Sequence, residues 1–135
     1  MHHESLRVYQ KTIEFVAWSS QLCQSSDRIS GENQSQFKRA FISIPLNIAE
    51  GSGKQSGKDQ ARFYDIARGS ALECGACLDV LVAMEILTIA QIQDGKACLV
   101  QIVSMLTALA RSVAGDRLAE EAEEFELNPI TEPST

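Results

Sequence analysis

Residues Arg39 to Glu73 read RAFISIPLNIAEGSGKQSGKDQARFYDIARGSALE, and this stretch decides the fold. It holds two amphipathic helical patterns joined by a short Gly/Ser loop. Phe37, Phe41, Ile44 and Ile48 recur at helical spacing and share one face. Arg39, Ser43, Asn47 and Glu50 recur at the same spacing on another face, so the helix is two-faced. Pro45 removes a backbone donor and crowds the carbonyl of Phe41, which predicts a kink within this helix. Gly51, Ser52 and Gly53 are expected to stop it.

The same residues carry a family resemblance. S-I-P-x-N-I-A-E-G over residues 43–51 stands at a fixed separation from I-A-x-G-S-x-x-E over residues 66–73. With Arg39, Ala40 and Phe63, this pairing resembles the signature of the S23-like four-helix-bundle proteins encoded by intervening sequences in bacterial 23S rRNA genes. The family includes the accessory variability determinant of diversity-generating retroelements. The resemblance extends over roughly residues 6–113, judged by helical pattern as much as by identity.

Outward from the signature, the chain reads as four helices. The first is expected from about Ser5 to Ser26, with Leu6, Tyr9, Ile13, Val16 and Cys23 as its core stripe. Val8, Phe15 and Leu22 form a second stripe, which together with Trp18 suggests a surface buried against another subunit. A single broad stripe wholly inside one bundle is the other reading. The turn residues SSDRISGEN separate this helix from the second, over about residues 32–51.

Ser56 to Asp59 is a capping-box pattern opening a third helix to about Leu87. Its expected core positions are Phe63, Ile66, Ser70, Cys74, Cys77, Leu81 and Met84, and Gly69 would let a neighbouring backbone approach closely. Thr88 to Gln91 is a second capping box, from which Ile92, Leu99, Ile102, Leu106, Leu109 and Val113 form a seam running to a stop at Gly115. Four helices with short loops predict an all-α, antiparallel up-down four-helix bundle over residues 1–115. Residues 116–135 form an acidic tail, in which Leu118, Ala122 and Phe125 allow a short helix before Pro129 and Pro133.

Charge divides along the same boundary. The chain of 135 residues has a net charge of -6, but up to Gly115 eleven basic residues balance eleven acidic ones. From Asp116 onward, Arg117 alone faces seven acidic residues, so the whole imbalance belongs to the tail. An acidic total therefore does not exclude a nucleic-acid surface on the body. No apolar run reads as long enough for a bilayer and the start, MHHESLRVYQ, lacks a signal-peptide pattern; a cytoplasmic location is expected.

Little chemistry is written here. Cys74 and Cys77 form a C-x-x-C without a second pair or spaced histidines, so the four cysteines read as small core or interface residues, with no metal and no cofactor expected. There is no P-loop, G-x-G-x-x-G, H-E-x-x-H or E-x-x-H, and an enzyme is not expected. Glu50 and Glu73 are the one candidate carboxylate pair. The polar stripe Arg39, Ser43, Asn47 and Glu50 either ties helices or subunits together or lines a binding groove; in the structural reading Asn47 serves backbone groups freed at Pro45. Lys54, Lys58, Arg62 and Arg68 are the candidate nucleic-acid-binding residues, although Asp59 and Asp65 interleave with them.

The resemblance implies a ring-shaped homopentamer and a non-enzymatic accessory role, binding RNA or a reverse transcriptase. The body here is less basic than in retroelement members. The rival expectation is an oligomeric scaffold that binds a protein partner without nucleic acid. Neither reading involves a membrane or a small-molecule substrate.

Overall fold

A computed structural model describes residues 2–127, excepting the side chains of His2, Ser5 and residues 116–127. A 3-10 turn, His2–Ser5, precedes four α-helices: α1 Arg7–Ser25, α2 Gly31–Ser52, α3 Gly57–Ala83 and α4 Ile89–Leu127. Each helix packs on its two neighbours, with α4 closing back onto α1. Cross-helix contacts give the direction: Ser43 meets Ser70, Arg68 meets Thr107, and Lys96 meets Asp79. The fold is an antiparallel four-helix bundle, and no strand occurs among the described residues.

Three helix starts are set by side chains that occupy orphan backbone donors. Ser30 and Asn33 cap α2 reciprocally. Ser56 Oγ accepts from the Asp59 amide at 3.2 Å to start α3. Thr88 and Gln91 form the capping box that opens α4, with Thr88 N donating to Gln91 Oε1 at 2.8 Å and Gln91 N to Thr88 Oγ1 at 3.2 Å. The α3 terminus is a Schellman turn, Ile86 N donating to Leu81 O and Glu85 N to Val82 O, both at 2.9 Å. Its left-handed position is held by Glu85, φ 60°, where glycine is usual. Arg28 Nη1 donates to the Glu85 carbonyl at 2.7 Å, tying the two loops at this end together.

The core follows the expected face of α2 and the expected seam of α4: Phe37, Phe41, Ile44, Ile48, Ile92, Leu99, Ile102 and Leu106 are all buried. In α1 the expected core stripe is buried at Cys23 alone. Val8 and Phe15 belong to the chain's own core rather than to a subunit interface, while Ile13 is exposed. The true core line is Val8, Thr12, Phe15, Ser19 and Cys23. Two hydroxyl residues on it shift the hydropathy pattern toward the wrong arc. On α3 Cys74 and Leu81 are buried as expected, but the rest of the buried line is Tyr64, Ala67, Ala71 and Leu78, leaving Ile66 and Met84 exposed. Two of its buried positions, Ala67 and Ala71, are small alanines, while the large Ile66 and Leu72 beside them are exposed.

Glycines also differ from expectation. Gly69 is exposed, with open space where a Cβ would be, so it is not a close-approach residue. Gly51 is one: it lies within α2, and a Cβ there would sit 2.9 Å from Phe63 Cβ and 3.0 Å from the Tyr64 ring. Gly95 is another, its Cα face covered by the Trp18 ring. Gly115 does not stop α4, which continues unbroken to Leu127, so the acidic tail begins as an extension of the last bundle helix; residues 128–135 lie outside the described residues. Against expectation, Ile89–Gly115 is long and apolar enough to span a bilayer by composition. Within the fold its seam is buried against α1 and α3, and 22% of the apolar window is buried.

Candidate nucleic-acid interface

The end of the bundle where α2 hands over to α3 holds the basic residues. The close Gly51 contact brings the α2 terminus onto the first turns of α3, which places Lys54 beside Phe63. Lys54 Nζ lies 5.2 Å and Arg62 Cζ 5.5 Å from the Phe63 ring centroid, so a half-buried aromatic is bracketed by two cations. Lys54 is also 3.3 Å from Glu50 Oε1. Lys58 and Arg62 are exposed and line a shallow hollow of about 530 Å³ with Ala61, Asp65 and Ile66.

Arg68 does not join this group. Its Nε donates to Thr107 Oγ1 at 3.0 Å, and Thr107 in turn donates to the Val103 carbonyl at 2.8 Å, so the arginine ties α3 to α4. Three of the four candidate cations are therefore gathered and one is diverted. The interleaved Asp65 stands in the same hollow, which keeps the local charge mixed.

The polar stripe resolves into separate pairs. Ser43 Oγ and Ser70 Oγ share a hydrogen bond of 2.8 Å at mid-height between α2 and α3. Asn47 Nδ2 donates to Ser43 O at 2.8 Å and Ser43 Oγ at 2.9 Å. The asparagine thus braces the turn that contains Pro45, not the Phe41 carbonyl that the proline deprives of its donor. The helix remains continuous through Pro45. Within the chain Arg39 ties to no neighbouring helix: it reaches Glu32 on its own helix, at 3.8 Å, and both are largely exposed. A pair of that kind contributes about 0–1 kcal/mol.

Glu50 and Glu73 do not face each other. Glu50 pairs with Lys54 at one end of the α2–α3 contact, whereas Glu73 lines a hollow of about 190 Å³ with Asn33, Gln36 and Cys77 toward the other. Paired-carboxylate chemistry has no geometry here. All four cysteines are free, burial pushes each thiol above its usual range, and no cluster able to hold a metal occurs among the described residues.

The proposed α1 interface is reduced to its remainder. Trp18 stacks on Phe15 at 5.8 Å between centroids and covers Gly95, and Leu22 is partly buried beside it. A second unpartnered surface, missed in the sequence, lies between α3 and α4. It is a groove of about 480 Å³, with Ala71, Gly75 and Ala76 along α3 and the side chains of Leu72, Val100 and Val103 bordering it. The Asp79–Lys96 ion pair, 2.6 Å, stands at one end. Leu72 and Val100 are 53% and 69% exposed, and two large aliphatics off the buried lines of their helices were the available signal.

Comparison with known proteins follows from this geometry. A family profile described as 23S rRNA-intervening sequence protein matches residues 4–108. A crystal structure at 1.70 Å resolution, of a protein with unknown function from the S23 ribosomal protein family of Bacteroides thetaiotaomicron, superposes with a TM-score of 0.72 at 25% sequence identity. The match covers 76% of this chain and 97% of that one. No curated protein matches the chain.

Proposed function

Because the chain belongs to the 23S rRNA-intervening sequence protein family, we propose that it is a non-enzymatic accessory protein that assembles as a homo-oligomer and binds RNA at the α2–α3 end. The observation that carries the reading is Phe63 bracketed by Lys54 and Arg62, with Lys58 exposed beside them. Cations gathered at one place hold phosphates with little sequence preference, and the Phe63 ring fixes where Lys54 and Arg62 stand. A ring of five subunits, as the S23-like resemblance implies, would present five such patches, so a weak site becomes useful through avidity.

A second reading is an oligomeric scaffold for a protein partner. It is favoured by the diversion of Arg68 to Thr107, which leaves Lys58 and Arg62 as the exposed cations of the patch. Titrating a fluorescent single-stranded RNA at several salt concentrations separates the two. Lys58→Glu with Arg62→Glu is expected to abolish binding without changing particle mass, and wild-type affinity should fall steeply with salt, by roughly 0.7 in logarithmic slope per phosphate contact. Binding that survives the double substitution, or that ignores salt, refutes the RNA site.

A further inference from the structure

Among the described residues, two stretches of α4 lack a packing partner from α3. One borders the groove shared with α3, whose rim residues Leu72 and Val100 face solvent. The other is the extension of α4 beyond the bundle. α3 runs antiparallel to α4 with Arg68 against Thr107, so Gly57, eleven residues earlier in α3, falls level with position 118, eleven residues later in α4. From there to Leu127 α4 has no α3 beside it. The segment from Asp116 to Leu127 reads DRLAEEAEEFEL, with Leu118, Ala122 and Phe125 at helical spacing and six acidic residues against one arginine.

We propose that the α4 extension of one copy lies in the α3–α4 groove of a second copy. The inference rests on the homo-oligomer reading above and names the contact that builds it. The chain cannot satisfy itself, because groove wall and extension belong to one continuous helix that cannot fold back. Ala71, Gly75 and Ala76 are small, which lets a helix approach closely. Lengths agree: the groove follows α4 from Lys96 to Ser104, about 12 Å, and the apolar stripe from Leu118 to Phe125 spans about 10 Å at ~1.5 Å per residue. Amphipathic helices dock in grooves through such spaced anchors. Lys96 and Asp79 neutralise each other at one end of the groove, so the cation left for the acidic face of the extension is Arg68, beyond the other end, where only its Nε is engaged, by Thr107. Extension and groove are different surfaces, so the contact is head-to-tail and repeats, closing a ring when the rotation allows.

The test uses two full-length variants and light scattering at fixed protein concentration, with circular dichroism confirming native helix content. Leu118→Glu with Phe125→Glu removes the extension's anchors; Leu72→Glu with Val100→Glu spoils the groove at exposed positions. Each variant alone is expected to drop to monomer mass. Mixed in equal amounts they should form a two-chain particle, since one intact extension and one intact groove remain. A wild-type multimer whose mass survives either variant, or a mixture that stays monomeric, overturns this contact and leaves the assembly reading standing. A monomeric wild type overturns both.

Discussion

Gly95→Ala is the sharpest probe of how α1 sits on the bundle. The Trp18 ring occupies the space into which the new methyl would project, so ring or helix must move. Overpacking of this kind costs about 1–3 kcal/mol, while alanine in place of glycine inside a helix returns roughly 1 kcal/mol. The net expectation is a loss of about 0–2 kcal/mol, too broad to decide anything alone. The sign in a second background decides it. With Trp18→Ala the obstruction is gone, and the same Gly95→Ala change should then stabilise by roughly 1 kcal/mol. The coupling between the two sites is therefore about 1–3 kcal/mol, well above the scatter expected for independent sites.

Urea unfolding followed by far-ultraviolet circular dichroism, at one protein concentration, measures all four corners of this cycle. Trp18 is the sole tryptophan, so its emission gives an independent signal in the Gly95→Ala protein, where a displaced ring should shift to the red. An equal effect of Gly95→Ala in both backgrounds, or an unmoved emission spectrum, would refute the packing argument and return Trp18 to the surface as a candidate subunit contact.

Glu85→Gly should stabilise by about 0.5–1 kcal/mol: a left-handed L-residue costs about 1–2 kcal/mol, and the greater freedom of unfolded glycine offsets part of the relief. The Arg28 bond uses the Glu85 carbonyl and survives the change, so a urea midpoint that fails to rise would contradict the Schellman assignment. Cys74 makes stability fall with alkali. Burial first, then Cys77 and Glu73, raises its thiol above 9.0, so the folded chain binds the proton more tightly than the unfolded one. No pH dependence from this group is expected well below 9.0; above it stability declines by up to about 1.4 kcal/mol per pH unit until the folded thiol itself ionises. Cys74→Ala should flatten that limb of the stability profile, and an equally steep one would show that another group is responsible.

How much of this was readable in the chain depended on how loudly each position speaks. The apolar lines of α2 and α4 are long aliphatics and aromatics at regular spacing, and they are buried as expected. The starts at Ser56 and Thr88 are local chemistry, complete within four residues: Thr88 and Gln91 form the full capping box, and at Ser56 the N-cap bond from the Asp59 amide forms. Apart from Cys23, Cys74 and Leu81, the faces of α1 and α3 were misread for one reason in two forms. Thr12 and Ser19 are buried polar residues, Ala67 and Ala71 are buried small ones, and a count of large apolar side chains passes over all four. Cation positions on α3 were visible; that Arg68 would turn toward α4 was not, because Thr107 is 39 residues away in sequence.

The residues that carried the family resemblance turn out to hold helices together. Ile44, Pro45 and Ile48 are buried, Ser43 and Ser70 bond α2 to α3, Asn47 braces the Pro45 turn, and Gly51 admits Phe63 and Tyr64. Arg39 and Glu50 lie exposed in surface ion pairs and reach no other helix. A signature built of packing residues identifies an architecture and says little about what the architecture binds. Discrimination between ligands falls to surfaces outside it: the cations around Phe63, the α3–α4 groove, and the acidic extension of α4. Of these, the extension and one wall of the groove lie on α4, which contributes no residue to the signature. Two chains of this fold can therefore share every residue of the α2–α3 contact and still assemble, or bind, differently.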